Sequence, residues 1–170
     1  MEPSIEVRPV DDTLRAAVAA LSVHPEQQAF VGSVLESLAD VAACPGSEAL
    51  ALLLAGQVVG YVRIDARATA LGDHPLAEGA VALRSFLIDA SRQGQGLGTR
   101  ALHAIQRYVA ARHPGRHRIL LSVNVRNAGA VRAYLRAGYV DSGDLYQGGP
   151  AGPQHVLWAP LSPLNPDGTS

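Results

Sequence analysis

The spacing of apolar residues along this 170-residue chain alternates between the two-residue repeat of a strand and the longer repeat of a helix. Residues 5–10 alternate apolar and polar positions and predict a first strand. Asp11 or Asp12 can cap the helix predicted over 14–21. A second helix is predicted to start after His24-Pro25-Glu26, with Pro25 near its N1 position. Its apolar residues recur on one helical face: Phe30, Val31, Val34, Leu35, Leu38 and Val41.

The middle of the chain predicts a hairpin followed by one long strand. Apolar runs at 49–54 and 58–64 flank the tight turn Ala55-Gly56-Gln57, so the two runs are expected to pair. Residues 67–79 are polar and rich in turn-forming residues, which predicts a loop. The run 81–89 is apolar enough to predict a strand inside a sheet.

Helices and strands alternate in the second half. Residues 97–112 predict a long amphipathic helix that ends before His113-Pro114. Its expected buried face comprises Leu97, Ala101, Leu102, Ala104, Ile105, Tyr108 and Val109. A strand at 119–123 precedes a short helix at 128–137, which Asn127 caps and Gly138 ends. Strands that begin at Tyr139 and at Gln154 complete the chain.

The predicted order is therefore β-α-α-β-β-β-α-β-α-β-β, an α/β (α+β) fold with one mixed sheet and helices on both faces. Residues 1–161 are expected to form a single domain, because the length suits one full-sized core. Residues 162–170 are polar and are expected to form a flexible tail.

Composition narrows the chemistry. The net charge of −1 provides no basic surface for nucleic acid or a membrane. All 14 basic residues are arginine, which excludes a P-loop lysine and a Schiff-base lysine. Cys44 is the only cysteine, so an internal disulfide and a cysteine-based zinc site are excluded, and the scattered histidines predict no metal site. With no signal peptide or membrane span in the pattern, we expect a cytoplasmic protein.

One stretch stands out for chemistry: Gln93-Gly94-Gln95-Gly96-Leu97-Gly98-Thr99, between a predicted strand and a predicted helix. Glycines let backbone N–H groups converge on one point, and the first turn of a helix adds unpaired donors. This geometry favours an anion such as a diphosphate. The glycine spacing differs from that of a dinucleotide fingerprint, and the lysine of an ATP-binding loop is absent.

Two motifs in this order resemble those of the GNAT family of N-acetyltransferases. Gln93-x-x-Gly96-x-Gly98 follows Phe86-Leu87-Ile88-Asp89 as in the acetyl-CoA signature of the family. Asn127, Tyr134 and Gly138-Tyr139 resemble the second half of the pattern, with Tyr139 in the place of a phenylalanine. The resemblance spans residues 5–161 and implies the GNAT fold, with a mostly antiparallel sheet.

The stretch from Ser22 to Val31, with Ser37-Leu38-Ala39-Asp40, is similar to the bacterial diamine, spermidine and spermine acetyltransferases. The resemblance therefore implies acetyl transfer from acetyl-CoA to a primary amine of a small molecule by direct attack. A polyamine is one candidate for this amine. The implied partners are acetyl-CoA and a small amine, and many family members are homodimers. Alternatives left open are an antibiotic amine, a protein N-terminus, or a non-catalytic acetyl-CoA-binding module.

The family pattern also implies roles for individual residues. The backbone of Phe86, Leu87 and Ile88 would pair with pantetheine, and a backbone N–H near Leu87 or Ile88 would supply the oxyanion donor. The loop residues Gln93, Gly94, Gln95, Gly96, Leu97, Gly98 and Thr99, together with Asn127, would bind the coenzyme. Tyr134 would protonate the leaving thiolate. Asn127 and Tyr134 lie seven residues apart, close to two helical turns, so both can face one cleft. Arg100 could touch phosphate or face solvent.

The general base and the acceptor pocket stay open at this point. The usual family glutamate on the strand before the glycine loop is replaced by Arg84-Ser85. The candidates for the base are Glu78, Asp89, His155 or a water chain. A polyamine would need carboxylates near its ammonium groups. The candidates are Glu26, Glu36 and Asp40 on the predicted second helix, and Asp141 and Asp144 on the strand after Tyr139.

Overall fold

A computed structural model describes residues 2–148 and 152–161. The strands are β1 (Ile5–Pro9), β2 (Ser47–Leu54), β3 (Gln57–Asp65), β4 (Ala80–Ile88), β5 (Arg118–Asn124), β6 (Val140–Tyr146) and β7 (Gln154–Pro160). The helices are α1 (Arg15–Ala19), α2 (Val34–Ala43), α3 (Leu97–Arg112) and α4 (Ala128–Arg136). Their order confirms the order that the apolar pattern predicts. The predicted tail at 162–170 lies outside the described residues.

The described strands form one sheet in the order β1-β2-β3-β4-β5-β7-β6. Five of the neighbouring pairs are antiparallel. The pair β4–β5 is parallel and is joined at Ala80–Ala82 and Arg118–Leu120 alone. The sheet is therefore mixed and mostly antiparallel, as predicted.

Each face of the sheet carries two helices. On one face, α3 and α4 cover Leu50, Leu52 and the inward residues of β4 and β5. On the other face, α1 and α2 pack on Ala51, Leu53 and Tyr61 through Val18 and Leu38. Successive residues of β2 thus alternate between the two cores, as the two-residue period of a strand requires. None of the helices in the described part of the chain combines the length and apolarity needed to cross a bilayer.

The predicted start of the second helix, just after His24-Pro25-Glu26, is wrong because it lies too early in the chain. Residues 25–27 form a 3₁₀ turn, and α2 begins at Val34. The Ser33 side chain accepts a hydrogen bond from the Glu36 backbone N–H at 3.4 Å and so caps the helix there. Ser33-x-x-Glu36 is a capping-box spacing that marks this start in the sequence. Phe30 and Val31 consequently belong to the connecting segment.

An ion-pair network links β3, β4 and α2. Asp65 accepts hydrogen bonds from Arg63 Nε at 3.0 Å and from Arg84 Nη1 at 3.1 Å. Arg63 and Asp65 are buried, with 4% and 7% of their surfaces exposed, and Arg63 also faces Asp40 at 3.6 Å. Burial favours a raised pKa for the Asp65 carboxyl, but hydrogen bonds from Ser47, Arg84 and Arg63 outweigh it and hold the pKa below its ordinary value.

Replacing Asp65 by Asn is expected to lower the free energy of unfolding at pH 7 by about 3 kcal/mol, because it leaves Arg63 buried without its closest anion. Since the pKa of Asp65 is lowered in the folded state, its stabilisation is present above the unfolded pKa, about 3.9, and is lost as pH falls below it. Urea unfolding at pH 7 and at pH 3 measures both effects. The gap between wild type and Asp65→Asn should shrink at pH 3, and the exposed Asp12→Asn serves as the control. An equal gap at the two pH values would contradict this assignment.

Candidate active site

A cleft of about 970 Å³ opens where β4 and β5 part. The two strands pair only up to Ala82 and Leu120 and then diverge. Beyond these residues, no hydrogen-bonded strand in the described chain fills the space between them. Strand edges left open in this way can pair with the amides of an extended ligand.

A β-bulge in β4 shapes one wall of the cleft. Between the pairs Tyr61–Leu87 and Arg63–Arg84, β3 supplies one residue and β4 supplies two. Ser85 adopts a left-handed backbone with φ of 54°, which is uncommon outside glycine. The extra residue reverses the side-chain alternation that follows. Phe86 therefore packs on the α3–α4 side and Leu87 on the α1–α2 side.

The glycine loop forms part of the cleft lining. Gly94 and Gly96 have left-handed backbones, with φ of 79° and 74°, and Gly96 precedes the first turn of α3. A Cβ at Gly94, Gly96 or Gly98 would meet no atom within 4 Å. The loop therefore has an open side beside the unpaired N–H groups of a helix start, which fits a coenzyme diphosphate.

Nearly all of the sequence-predicted site residues line this cleft. They are Phe86, Leu87, Ile88, Gln93, Gly94, Gly96, Leu97, Gly98, Thr99, Asn127 and Tyr134. Gln95 is exposed and is absent from the lining in the described structure. Leu97 is only 3% exposed, because its side chain belongs to the core.

Two side chains that flank the loop are engaged elsewhere. The Gln93 amide donates to the Ile88 carbonyl at 2.9 Å and bonds with the Gln27 amide. Arg100 donates to the Pro3 carbonyl and lies 3.8 Å from the Glu2 carboxylate. We therefore expect Gln93 to contact a diphosphate through its backbone, and Arg100 to bind the N-terminal segment.

Asn127 and Tyr134 share the helical face of α4 that borders the cleft. The Asn127 side chain caps α4 by accepting from the Ala130 N–H at 3.4 Å. The Tyr134 ring lies 6.1 Å from the Phe86 ring and 5.5 Å from the Tyr139 ring, measured between centroids. Burial raises the pKa of the Tyr134 hydroxyl above its ordinary value, so this hydroxyl keeps its proton at neutral pH.

The side chains proposed as a general base do not line the cleft. Asp89 accepts from the backbone N–H groups of Ser22 and Ser91. Burial would raise the pKa of Asp89, but these bonds and the Ser91 hydroxyl outweigh it and lower the pKa, which makes Asp89 a weak base. His155 lies 3.6 Å from Asp141. Among the described residues that line the cleft there is no Asp, Glu or His.

The predicted acceptor carboxylates are likewise placed outside the cleft lining. Asp40 faces Arg63, Asp141 faces His155, and Asp144 lies 2.9 Å from His74 Nε2. The rest of the cleft lining includes residues 27–32, which we call the wall segment, with Leu71, Tyr146 and Gln154.

Three arginines that the sequence patterns did not single out as ligands border the cleft. Arg84 lies on β4 at the bulge, Arg92 in the turn before the glycine loop, and Arg136 in the last turn of α4. Nothing in their local sequence marks them, because they come from three separate elements that the fold brings to one cleft. Their charge suits a polyanionic ligand.

Known proteins of one family resemble this chain in sequence and in fold. The profile of the acetyltransferase (GNAT) family matches residues 30–139. The spermine/spermidine N(1)-acetyltransferase of Bacillus subtilis (strain 168) is 32% identical over 142 residues, which are 84% of this chain and 91% of that protein.

Solved structures are similar in fold. The aminoglycoside acetyltransferase AAC(6')-Ib in complex with coenzyme A has a TM-score of 0.73 and 22% identity, over 92% of this chain and 95% of that one. The spermidine N-acetyltransferase from Vibrio cholerae, in complex with coenzyme A and spermine, has a TM-score of 0.69 and 16% identity, over 93% and 96%. At these identities the likeness concerns the fold.

Gly96→Glu is expected to weaken coenzyme A binding at least about a hundredfold, or about 2.7 kcal/mol, because it fills the open side of the loop and repels the phosphates. Isothermal titration with coenzyme A measures the effect. Gly56→Glu is the matched control, since Gly56 has φ of 81° and an open Cβ position in the β2–β3 turn. The control should bind as wild type does, and retained affinity in Gly96→Glu would contradict the cradle.

Proposed function

The chain belongs to the acetyltransferase (GNAT) family and is an acetyl-CoA-dependent N-acetyltransferase, and we propose that its acceptor is a primary amine of a small molecule. The observation that carries this proposal is the cleft between β4 and β5. The glycine loop and the wall segment both line it, and they contact each other through Gln27 and Gln93. A coenzyme on the glycine loop and an acceptor beside the wall segment would meet where the strands diverge.

We propose direct transfer, with no acetylated enzyme. An acetylated enzyme needs an activated nucleophile, usually a cysteine or a serine beside a base. Among the described residues of the cleft lining there is no cysteine or histidine, and Cys44 is exposed beyond α2. The acceptor nitrogen would therefore attack the thioester carbonyl, and the carbon–sulfur bond would break.

Tyr134 is the proposed acid. Its hydroxyl is protonated at neutral pH, and its place in the cleft lining beside Phe86 suits proton transfer to a leaving thiolate. The ammonium of the acceptor must lose a proton before attack, since only the neutral amine has a lone pair. With no side-chain base in the described lining, that proton would leave through water.

Among amines, we propose a linear polyamine as the acceptor to test first. The sequence similarity to the B. subtilis spermine/spermidine enzyme supports it over most of the chain. A second cavity, of about 350 Å³, shares Leu71 and Tyr146 with the cleft and is bordered by Asp73. Such a cavity would give the far ammonium of an extended amine a nearby carboxylate. The homodimer and the cytoplasmic location stay predictions.

Tyr134→Phe should reduce kcat by about 10²- to 10⁴-fold, the usual range for loss of an acid catalyst, with little change in the affinity for coenzyme A. Steady-state assays of thiol release, with titration of coenzyme A, measure both quantities. Tyr139→Phe is the matched control, because it removes a buried hydroxyl from the adjacent ring outside the cleft lining. An unchanged kcat in Tyr134→Phe would contradict the acid role.

A panel of acceptors tests the substrate class. Thiol release should be fastest with spermine or spermidine, slower with a primary monoamine of similar length, and slowest with kanamycin or a peptide N-terminus. A preference for kanamycin would instead favour the antibiotic amine. If coenzyme A binds tightly and no amine is acetylated, the non-catalytic module is the better explanation.

A further inference from the structure

Two glutamine side chains join the glycine loop to the wall segment. Gln27 Nε2 donates to Gln93 Oε1 at 3.1 Å, and Gln93 Nε2 donates to Gln27 Oε1 at 3.0 Å. The orientation of both amides is fixed by the backbone. The Ile88 carbonyl accepts from Gln93 Nε2, and the His24 N–H donates to Gln27 Oε1 at 3.2 Å. The pair is part-buried and 66 residues apart in sequence.

A second set of bonds holds the same two regions together. The Ala90 N–H donates to the Ser22 carbonyl at 2.7 Å, and the Ser22 N–H donates to the Asp89 carboxylate at 2.9 Å. The chain before the wall segment is therefore anchored to the turn before the glycine loop. Gln27 is the point where this anchor continues into the cleft.

The wall segment is built on Gln27. Its carbonyl accepts from the N–H groups of Phe30 and Val31 at 3.0 and 3.2 Å. The Phe30 ring then lies under the Arg126 guanidinium, 5.8 Å from its carbon to the ring centroid. Arg126 follows β5, so the wall segment spans from the glycine loop to the opposite side of the cleft. Gln93 is thus connected through Gln27 to Phe30 and Val31 of the wall segment.

We infer that the Gln27–Gln93 pair couples coenzyme binding to the ordering of the acceptor wall. Coenzyme held on the backbone of residues 93–99 restrains the Gln93 side chain, which restrains Gln27 and, through its carbonyl, Phe30 and Val31. Both glutamines act as positioning residues. This inference rests on the proposed function only in its kinetic consequence, since the structural coupling needs no acceptor.

Hydrogen exchange measured by mass spectrometry tests the coupling with coenzyme A alone. In the wild type, saturating coenzyme A should slow exchange in peptides that cover 93–99 and in those that cover 27–32. In Gln27→Met, protection of 93–99 should persist, and protection of 27–32 should be lost. Gln28→Met, one residue along the same segment, should keep both. Protection confined to 93–99 in the wild type would overturn the inference without affecting the proposed activity, whereas no protection anywhere would count against coenzyme binding itself.

A double-mutant cycle gives an independent readout. Gln27→Met and Gln93→Met should each raise the KM of the best acceptor by about fivefold, within the range measured for coupling residues, with a smaller change in kcat. The KM of the double variant should be no higher than that of the more impaired single variant, because the two changes remove one interaction. Thermal unfolding shows whether each variant is folded. Additive effects, or a loss confined to kcat, would overturn the positioning role.

Discussion

The separation of β4 from β5 after three residue pairs is the constraint on which the rest of the structure depends. Seven strands with a continuous ladder would leave no room inside the sheet for a ligand. The parallel register at Ala80–Ala82 keeps the two strands close at one end, where Ala80, Ala82 and Leu120 share a small core. Past this point, unpaired strand edges, which would otherwise cost free energy, become the walls of a binding site.

The bulge at Ser85 makes that separation compatible with a packed core. Without the bulge, strand alternation would exchange the two side chains, with Phe86 on the α1–α2 side and Leu87 on the α3–α4 side. With the extra residue, Phe86 meets Tyr134 on the α3–α4 side and Leu87 joins the core under α1 and α2. The left-handed backbone at Ser85 is strained for a residue with a side chain, at a cost of about 1–3 kcal/mol. Pairing of β4 with β3 on both sides of the bulge maintains it.

Local patterns predicted what depends on local forces. The element order, the glycine loop and the cap at Asn127 follow from periodicity, backbone freedom and side-chain capping. The start of α2 was predicted too early because apolar spacing before Ser33 imitates a helix. The other features that the sequence missed join distant segments. The arginines at the cleft come from three different elements, and Gln27 and Gln93 lie 66 residues apart, so no single stretch of the chain marks them.

Charge and hydrogen bonding act in the same direction in this cleft. Its described lining contains three arginines and no carboxylate. Arg84 is paired with Asp65, but Arg92 and Arg136 add positive charge that attracts a polyanionic coenzyme and opposes a polycationic acceptor. Once phosphate groups lie beside these arginines, the opposition to an incoming amine falls. The same event fixes the backbone of the glycine loop, which the Gln27–Gln93 pair connects to the acceptor wall. Electrostatics and positioning therefore both favour binding of the acceptor after the coenzyme, and direct transfer takes place once both are bound.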